Sequence, residues 1–330
     1  MIRVLICAGI LLIASGCAGS ERSSATPVAP APRVRVLGVA QDGGVPHAGC
    51  SCDTCLAALV DPARRFHVAS LAIILPPDAN ERKMGVFLID ATPDVTEQLH
   101  MLRDVRDAPD GRTDRAPVDG VFLTHAHIGH YTGLMHFGFE VMHAQRTPVW
   151  CTERMGEFLR TNAPWSQLVD KDEIRLPTLT IDDPLPLGSG VTITPVEVPH
   201  RNEFADTVGY VIAGPARTIL YIPDTEPWDR WPEGMLKLEH LLRIHSVDVA
   251  LLDATFYSLD ELPNRHAASI GHPLIVSTMD RLQERSDAGL DVRFIHLNHT
   301  NPALDPGSDA QREIERRGFT VAREGAEIGL

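Results

Sequence analysis

The chain has 330 residues, 44% of them hydrophobic, and a formal net charge of −14 at pH 7. Tight binding to nucleic acid depends on Lys and Arg contacts to phosphates, so this acidic balance argues against a nucleic-acid partner. The length is sufficient for one substantial hydrophobic core, and we predict a single catalytic domain over residues 33–330.

The N-terminus has the pattern of a lipoprotein signal peptide. Arg3 is followed by an apolar run over residues 4–13 and by small residues that end at Cys17. The run is too short to span a bilayer, which needs about 20 apolar residues, although an uncleaved short anchor is the alternative. We predict a signal peptide over residues 1–16 and a lipidated Cys17 that begins a flexible tether over residues 17–32. The protein would then be an exported lipoprotein, held by its lipid at the periplasmic face of the outer membrane.

Three cysteines lie close together just after a Gly- and Pro-rich turn at residues 43–46. Cys50, Cys52 and Cys55 supply three thiolates, and a tetrahedral zinc site needs one further ligand. A disulfide or free thiols are the alternative, but cysteines so close in sequence strain the geometry of a disulfide. The spacing therefore favours a structural metal site. Cys151 stands apart from this cluster, and we expect it to be a buried apolar side chain.

Hydrophobic patterning divides the domain into two halves of similar style. Strand-like runs in the first half cover residues 33–40, 70–75, 84–89 and 118–124, and helical segments cover residues 93–106 and 153–162. Strand-like runs in the second half cover residues 191–198, 207–212, 218–222, 247–253 and 292–297, and helical segments cover residues 232–244, 273–285 and 308–317. Two mixed β-sheets that face each other, with helices on the outer faces, satisfy both halves. We therefore predict an α+β fold of the αββα-sandwich type.

A histidine-rich loop follows the strand predicted at residues 118–124. It contains His125, His127 and His130, and neutral imidazole is a common zinc ligand. A single loop of this kind is often solvated surface. Further metal-binding side chains, however, follow later predicted strands, and these are His200, Asp224 and His296. Because side chains at several strand ends can meet at one edge of a sheet, the pattern predicts a metal centre.

This pattern resembles the metallo-β-lactamase superfamily of metallohydrolases, whose signature is H-x-H-x-D-H followed by a His, an Asp and a final His. The resemblance implies that the first metal is held by three imidazoles, those of His125, His127 and His200. It implies that the second metal is held by His130, Asp224 and His296, with Asp224 bridging both metals. One position departs from the signature, since Gly129 stands where the family has Asp.

Gly129 leaves the second metal position without one carboxylate ligand. Even the loss of a group that only supports a ligand weakens metal affinity by roughly 10- to 100-fold, so the loss of a ligand costs at least as much. We therefore expect the first position to fill first. One or two active-site zinc ions are alternatives, and iron or manganese is an alternative occupant of the second position.

Within the superfamily, the chain resembles one branch over nearly the whole predicted domain. This branch contains the cyclic phosphodiesterase of the carbon-phosphorus lyase pathway and the B protein of pyrroloquinoline quinone biosynthesis. The resemblance rests on the Gly-rich opening segment with its cysteines, on residues 294–302, and on the closing segments at residues 318–319 and 327–329. It implies that His299 completes the structural zinc site of Cys50, Cys52 and Cys55. The β-lactamases proper lack the cysteine insert, so antibiotic hydrolysis is disfavoured.

The resemblance implies metal-dependent hydrolysis. Zinc lowers the pKa of a bound water from 15.7 to about 7, which gives a metal-bound hydroxide at neutral pH, and a second ion would polarise a phosphoryl oxygen. Asp224 would bridge the ions and orient the nucleophile. His272 matches a histidine of the phosphodiesterase that could protonate the leaving group, and a surface His that caps a helix is the alternative. His266 is a weaker candidate for the same role.

Three functions follow as alternatives from these observations. The first is a zinc phosphodiesterase, or a related hydrolase, that acts on a small anionic substrate. The second is an oxidative or accessory role like that of the quinone-biosynthesis protein. The third is a catalytically degraded fold that binds a ligand. The sequence leaves the substrate and the oligomeric state open.

Overall fold

The computed structural model describes residues 31–77, 84–106, 116–232, 234–262 and 270–330. These residues belong to one compact unit, Ala31–Leu330. The predicted signal peptide, the predicted lipidation site Cys17, most of the predicted tether and His266 lie outside the described residues. Within the described ranges, every helix is too short or too polar to cross a bilayer.

The first sheet is mixed. Its strands in the described chain are β1 (Arg33–Gly38), β2 (Ser70–Leu75), β3 (Gly85–Ile89), β4 (Gly120–Phe122), β5 (Thr147–Trp150), β6 (Ile174–Arg175) and β14 (Glu327–Gly329). Their order across the sheet is β14, β1, β2, β3, β4, β5, β6. Pairing is antiparallel from β14 to β3 and parallel from β3 to β6. All residues of β2 are buried, as expected of a central strand that is covered on both faces.

The second sheet has the same plan. Its strands in the described chain are β7 (Leu185–Gly188), β8 (Val191–Glu197), β9 (Val208–Ala213), β10 (Thr218–Ile222), β11 (Val249–Asp253), β12 (Asp291–Ile295) and β13 (Thr320–Val321). They follow one another across the sheet in sequence order. Pairing is antiparallel from β7 to β10 and parallel from β10 to β13.

Helices lie between these strands in the sequence. The α-helices of the described chain are α1 (Asp53–Val60), α2 (Val95–His100), α3 (Arg103–Arg106), α4 (Ile128–Tyr131), α5 (Glu153–Thr161), α6 (Trp165–Asp170), α7 (Met235–Ile244), α8 (Ile275–Asp287) and α9 (Asp309–Arg316). Side-chain caps fix two of their starts, because Thr152 Oγ1 accepts from Met155 N before α5 and Ser308 Oγ accepts from Gln311 N before α9.

Three buried clusters show the layer order. One joins the facing sides of the two sheets, where the Phe122 ring meets the Tyr210 ring edge-on with centroids 5.9 Å apart. A second packs the outer side of the first sheet against helices, including Met155 and Leu159 of α5. The third packs the second sheet against α7, α8 and α9, with Leu238 and Ile314 fully buried. The predicted αββα sandwich is therefore confirmed.

Several predicted boundaries differ from the structure. The strand predicted at residues 118–124 ends at Phe122, because Thr124 N leaves the sheet ladder and donates to Asp90 Oδ1 instead. The helix predicted at residues 93–106 is divided into α2 and α3. The patterning missed β7, an edge strand with Pro186 in its centre, since proline lowers the strand signal and is tolerated only at sheet edges.

Candidate metal centre

Four predicted ligands meet in a first cluster. His125 and His127 follow β4, His200 follows β8, and Asp224 follows β10. His127 Nδ1 lies 3.0 Å from His125 Nε2 and 3.1 Å from His200 Nε2. Asp224 Oδ2 lies 3.2 Å from the Nε2 atom of His125 and 3.2 Å from that of His200. The structure therefore brings together side chains from three separate strand ends.

The donor atoms of the first cluster fit a metal ion. A tetrahedral zinc with bonds of 2.0–2.1 Å places neighbouring nitrogen ligands about 3.3 Å apart, close to the distances observed here. A neutral imidazole carries only one N–H, so these converging atoms cannot all be satisfied by hydrogen bonds to one another. Burial, together with the charge of His130, holds the pKa of His125 well below its usual value. The ring is therefore neutral, as a metal ligand must be.

The other predicted ligands form a second cluster. His296 Nε2 lies 4.0 Å from Asp224 Oδ2, and the His130 and His296 rings stack with centroids 5.4 Å apart. Asp42 joins them, with Oδ1 3.5 Å from His130 Nε2. Asp42 was not predicted from the sequence, although it is a carboxylate that lies shortly after a strand, here β1, as the predicted ligand Asp224 does after β10.

Residues that were not predicted hold the ligand rings in place. Asp90 Oδ2 lies 2.7 Å from His130 Nδ1. The Thr124 hydroxyl lies 2.9 Å from His125 Nδ1, and the Thr255 hydroxyl lies 3.0 Å from His296 Nδ1. Such partners fix the orientation of a ligand ring and leave its other nitrogen free for a metal.

His130 is charged when no metal is bound. Burial alone lowers its pKa, but the carboxylates of Asp90 and Asp42 outweigh burial and raise the pKa of His130 to about 10. A metal that binds His130 Nε2 must therefore displace a proton from this ring.

His272 faces the first cluster rather than capping a helix. Its Nδ1 lies 3.1 Å from Asp224 Oδ1 and 3.0 Å from Asp253 Oδ2. Helix α8 begins at Ile275, so His272 lies outside it. Burial lowers the pKa of His272, but the carboxylates of Asp253 and Asp224 outweigh it and raise the pKa well above the usual value. The His272 ring is therefore held between the carboxylates of Asp224 and Asp253.

The predicted structural zinc residues form a separate cluster. The Sγ atoms of Cys50, Cys52 and Cys55 lie 3.5, 3.6 and 3.6 Å from His299 Nδ1. A tetrahedral zinc with Zn–S bonds of 2.3 Å and a Zn–N bond of 2.0–2.1 Å places sulfur and nitrogen about 3.6 Å apart. All three cysteines are free thiols, which argues against the disulfide alternative. Backbone N–H groups also point at the sulfurs, with Cys52 N 3.4 Å from Cys50 Sγ.

Comparison with known proteins gives matches that cover most of the chain. A family model described as a beta-lactamase superfamily domain matches residues 86–286. A coenzyme PQQ synthesis protein B from Cupriavidus necator is 28% identical over 324 residues, which covers 90% of this chain and 99% of that protein. The corresponding protein from Stutzerimonas stutzeri is 29% identical over 324 residues, with the same coverage of 90% and 99%.

Two solved structures share the fold. Zinc-bound PqqB from Methylobacterium extorquens superposes with a TM-score of 0.73 at 22% identity, covering 90% of this chain and all of that one. A diphosphatase of the PhnP family superposes with a TM-score of 0.62 at 21% identity, covering 91% of this chain and 98% of that one. These structures show the shared fold, and the ligand clusters of this chain support a metal cofactor.

The comparisons contradict the location that the N-terminus suggested. The relatives that align with about 90% of the chain are named for the synthesis of a coenzyme, not as lipoproteins of the outer membrane. Export to the periplasmic face of the outer membrane is therefore a wrong prediction. It depended on one short apolar run before a cysteine, which is a weak pattern without support from the folded domain.

Proposed function

Because the chain belongs to the beta-lactamase superfamily, we propose that it is a metal-dependent hydrolase, a zinc phosphodiesterase that acts on a small anionic substrate. One observation carries this proposal, namely the convergence of three imidazole nitrogens and a carboxylate oxygen in the first cluster. Imidazole and carboxylate ligands are typical of catalytic zinc, whereas a set of three cysteines and one histidine is typical of structural zinc. Zinc occupies the first position in this proposal, and zinc, iron or manganese the second.

The protein supplies a prearranged site for this chemistry. A bound metal supplies Lewis-acid chemistry, since it lowers the pKa of a water molecule to about 7 and polarises a phosphoryl oxygen. His125, His127 and His200 would hold a metal at the first position, His130 and His296 would hold one at the second, and Asp224 would contribute to both. Asp90, Thr124 and Thr255 already orient three of these rings, so little reorganisation is needed when substrate binds.

His272 is placed to supply a proton. When the phosphorus-oxygen bond of the substrate breaks, the departing oxygen needs a proton, and His272 donates it from the ring nitrogen that does not face Asp253. The carboxylate of Asp253, with Oδ2 3.0 Å from Nδ1, raises the pKa of this ring and favours its protonated form. Asp224 and Asp253 therefore act as positioning residues for this donor.

A role in coenzyme synthesis is the second candidate. It is favoured by the similarity to PQQ synthesis protein B, which extends over nearly the full length of that protein. In that case the centre would hold a redox-active metal, or would assist another enzyme, and no phosphodiester would be hydrolysed.

Metal analysis combined with turnover tests the proposed function. The purified chain is measured for zinc, iron and manganese and is assayed with bis(p-nitrophenyl) phosphate. We expect the protein to contain at least one zinc ion in addition to the one in the cysteine cluster. We also expect a chelator to abolish hydrolysis and added zinc to restore it. Redox-active iron without hydrolysis would favour the coenzyme role instead. Bound zinc with no hydrolysis of any phosphodiester would reject the phosphodiesterase and leave a ligand-binding fold.

Replacement of His272 by Asn is expected to slow the hydrolysis of substrates with poor leaving groups more than that of substrates with good ones. General acid catalysis contributes roughly 10²- to 10⁴-fold, so kcat for an alkyl phosphodiester should fall at least about 100-fold. Hydrolysis of bis(p-nitrophenyl) phosphate should fall less than about 10-fold, because p-nitrophenolate leaves without a proton. His240→Asn, at an exposed position on α7, is the matched control. Equal losses for both substrates would contradict the acid role.

A further inference from the structure

Gly129 has no room for a side chain. A Cβ atom placed on it would lie 2.1 Å from Asp42 Oδ1 and 2.7 Å from Asp42 Cα, whereas real Cβ atoms essentially never come closer than 3.0 Å to such neighbours. A side chain at position 129 and the observed Asp42 are therefore mutually exclusive. The carboxylate of Asp42 stands where the side chain of residue 129 would begin.

Asp42 also faces the unpartnered atoms of the second cluster. Asp42 Oδ1, His130 Nε2 and one ring nitrogen of His296 lie within 4.8 Å of one another. The atoms Asp42 Oδ1, His130 Nε2 and His296 Nε2 are buried and have no hydrogen-bond partner among the described residues. Because buried polar atoms are nearly always hydrogen-bonded, such a converging set indicates a common partner. Two imidazole nitrogens and one carboxylate oxygen suit a divalent transition metal.

Backbone pairing fixes Asp42 beside this cluster. Leu297 N donates to Val39 O at 2.8 Å, and Gln41 N donates to Leu297 O at 2.9 Å. Asp42 follows Gln41 directly, and His296 precedes Leu297. The two side chains are therefore carried by paired segments of backbone, so Asp42 reaches the cluster from a fixed position.

A simple ion pair between Asp42 and His130 is the competing interpretation. His130 already has a fully buried carboxylate partner, because Asp90 Oδ2 lies 2.7 Å from its Nδ1. An ion pair on the other nitrogen would leave His296 Nε2 without a hydrogen-bond partner among the described residues. A metal ion would bind Asp42, His130 and His296 together.

We infer that Asp42 supplies the carboxylate ligand of the second metal position, replacing from another segment of the chain the aspartate that Gly129 lacks. The inference rests on the proposed metal-dependent function, but it concerns metal binding and not turnover. It reverses the expectation from the sequence alone that the second position has lost a ligand.

Metal affinity of four variants tests the assignment. Asp42→Asn keeps the shape of the side chain but removes its charge, Asp42→Ala removes the group, and Gly129→Ala forces the carboxylate aside. Glu140→Ala is the control, because Glu140 is an exposed carboxylate that belongs to none of the metal-binding clusters. Zinc equivalents are counted by elemental analysis at limiting free zinc, and cobalt absorption spectra report the ligand set. The zinc equivalent of the cysteine cluster serves as a folding control, because a variant that keeps this equivalent is folded. Its ligands are Cys50, Cys52, Cys55 and His299.

We expect the Asp42 and Gly129 variants to bind one zinc equivalent fewer than the wild type at limiting free zinc. Where the second active-site zinc still binds, its affinity should be roughly 10- to 100-fold weaker. Gly129→Ala should add little loss to Asp42→Ala, because both changes remove the same ligand. Unchanged equivalents and affinity in Asp42→Ala would overturn the inference, as would a wild type that binds a single active-site metal at saturation. A wild type that binds two such metals but hydrolyses no substrate would reject only the proposed function.

Discussion

Replacement of Cys52 by Ala is expected to abolish the structural metal site and to unfold most of the chain at room temperature. Structural zinc contributes folding free energy on the order of 10 kcal/mol, and a domain has a total free energy of unfolding of about 5–15 kcal/mol. Cys52 Sγ is one of three sulfurs at 3.5–3.6 Å from His299 Nδ1, so its removal leaves an incomplete tetrahedron. Zinc content and the cooperative unfolding transition are measured, and we expect both to be lost, because an unfolded chain holds neither zinc site.

Cys151 provides the matched control for this experiment. It is also a cysteine, it is 1% exposed, and it lies in the core between the first sheet and its helices. Cys151→Ala should lower the free energy of unfolding by about 1 kcal/mol through lost packing and should keep every zinc equivalent. A Cys52→Ala protein that retains wild-type zinc content would show that the cysteine cluster is not a metal site.

Replacement of His127 by Ala is expected to reduce hydrolysis by at least about 10³-fold, which corresponds to roughly 4 kcal/mol of activation free energy. His127 Nδ1 lies 3.0–3.1 Å from the nitrogens of His125 and His200, so the first position loses a ligand at its centre. The side chain is 16% exposed and is not part of the hydrophobic core, so we expect the fold to persist. Turnover, zinc content and thermal unfolding are measured together.

The exposed His100 on α2 is the control for His127. His100→Ala should keep both turnover and zinc content. His127→Ala should keep the zinc equivalent of the cysteine cluster, because the two clusters are separate in the structure. If a folded His127→Ala protein loses that equivalent as well, the division into a catalytic and a structural site is wrong.

Much of the fold was predictable because hydrophobic periodicity reports which faces are buried. The continuous apolar runs at β2 in the first half and at β11 in the second indicated strands that are covered on both faces. The pattern failed where a second requirement competed with it. Thr124 lies outside β4 because its N–H donates to Asp90 Oδ1. Pro186 lowers the strand propensity of β7, so this edge strand was not predicted.

The predicted ligands come together because the sequence already placed them at strand ends. Their neighbours were harder to find, since Asp90, Thr124 and Thr255 are ordinary residue types and no spacing rule selects them. Asp42 shows the limit most clearly, because its relation to Gly129 is a contact between segments that are distant in sequence. Only the three-dimensional structure shows that the two positions exclude each other.

The pairing of Gln41 with Leu297 joins the start of the domain to a segment close to its end. A ribosome releases residues near 40 long before it has made those near 299, so neither the second cluster nor the cysteine cluster can assemble until synthesis is almost complete. The ligands of the first cluster all precede residue 225, so this limit does not apply to them. Any product truncated before His296 would lack ligands of the second cluster and of the cysteine cluster.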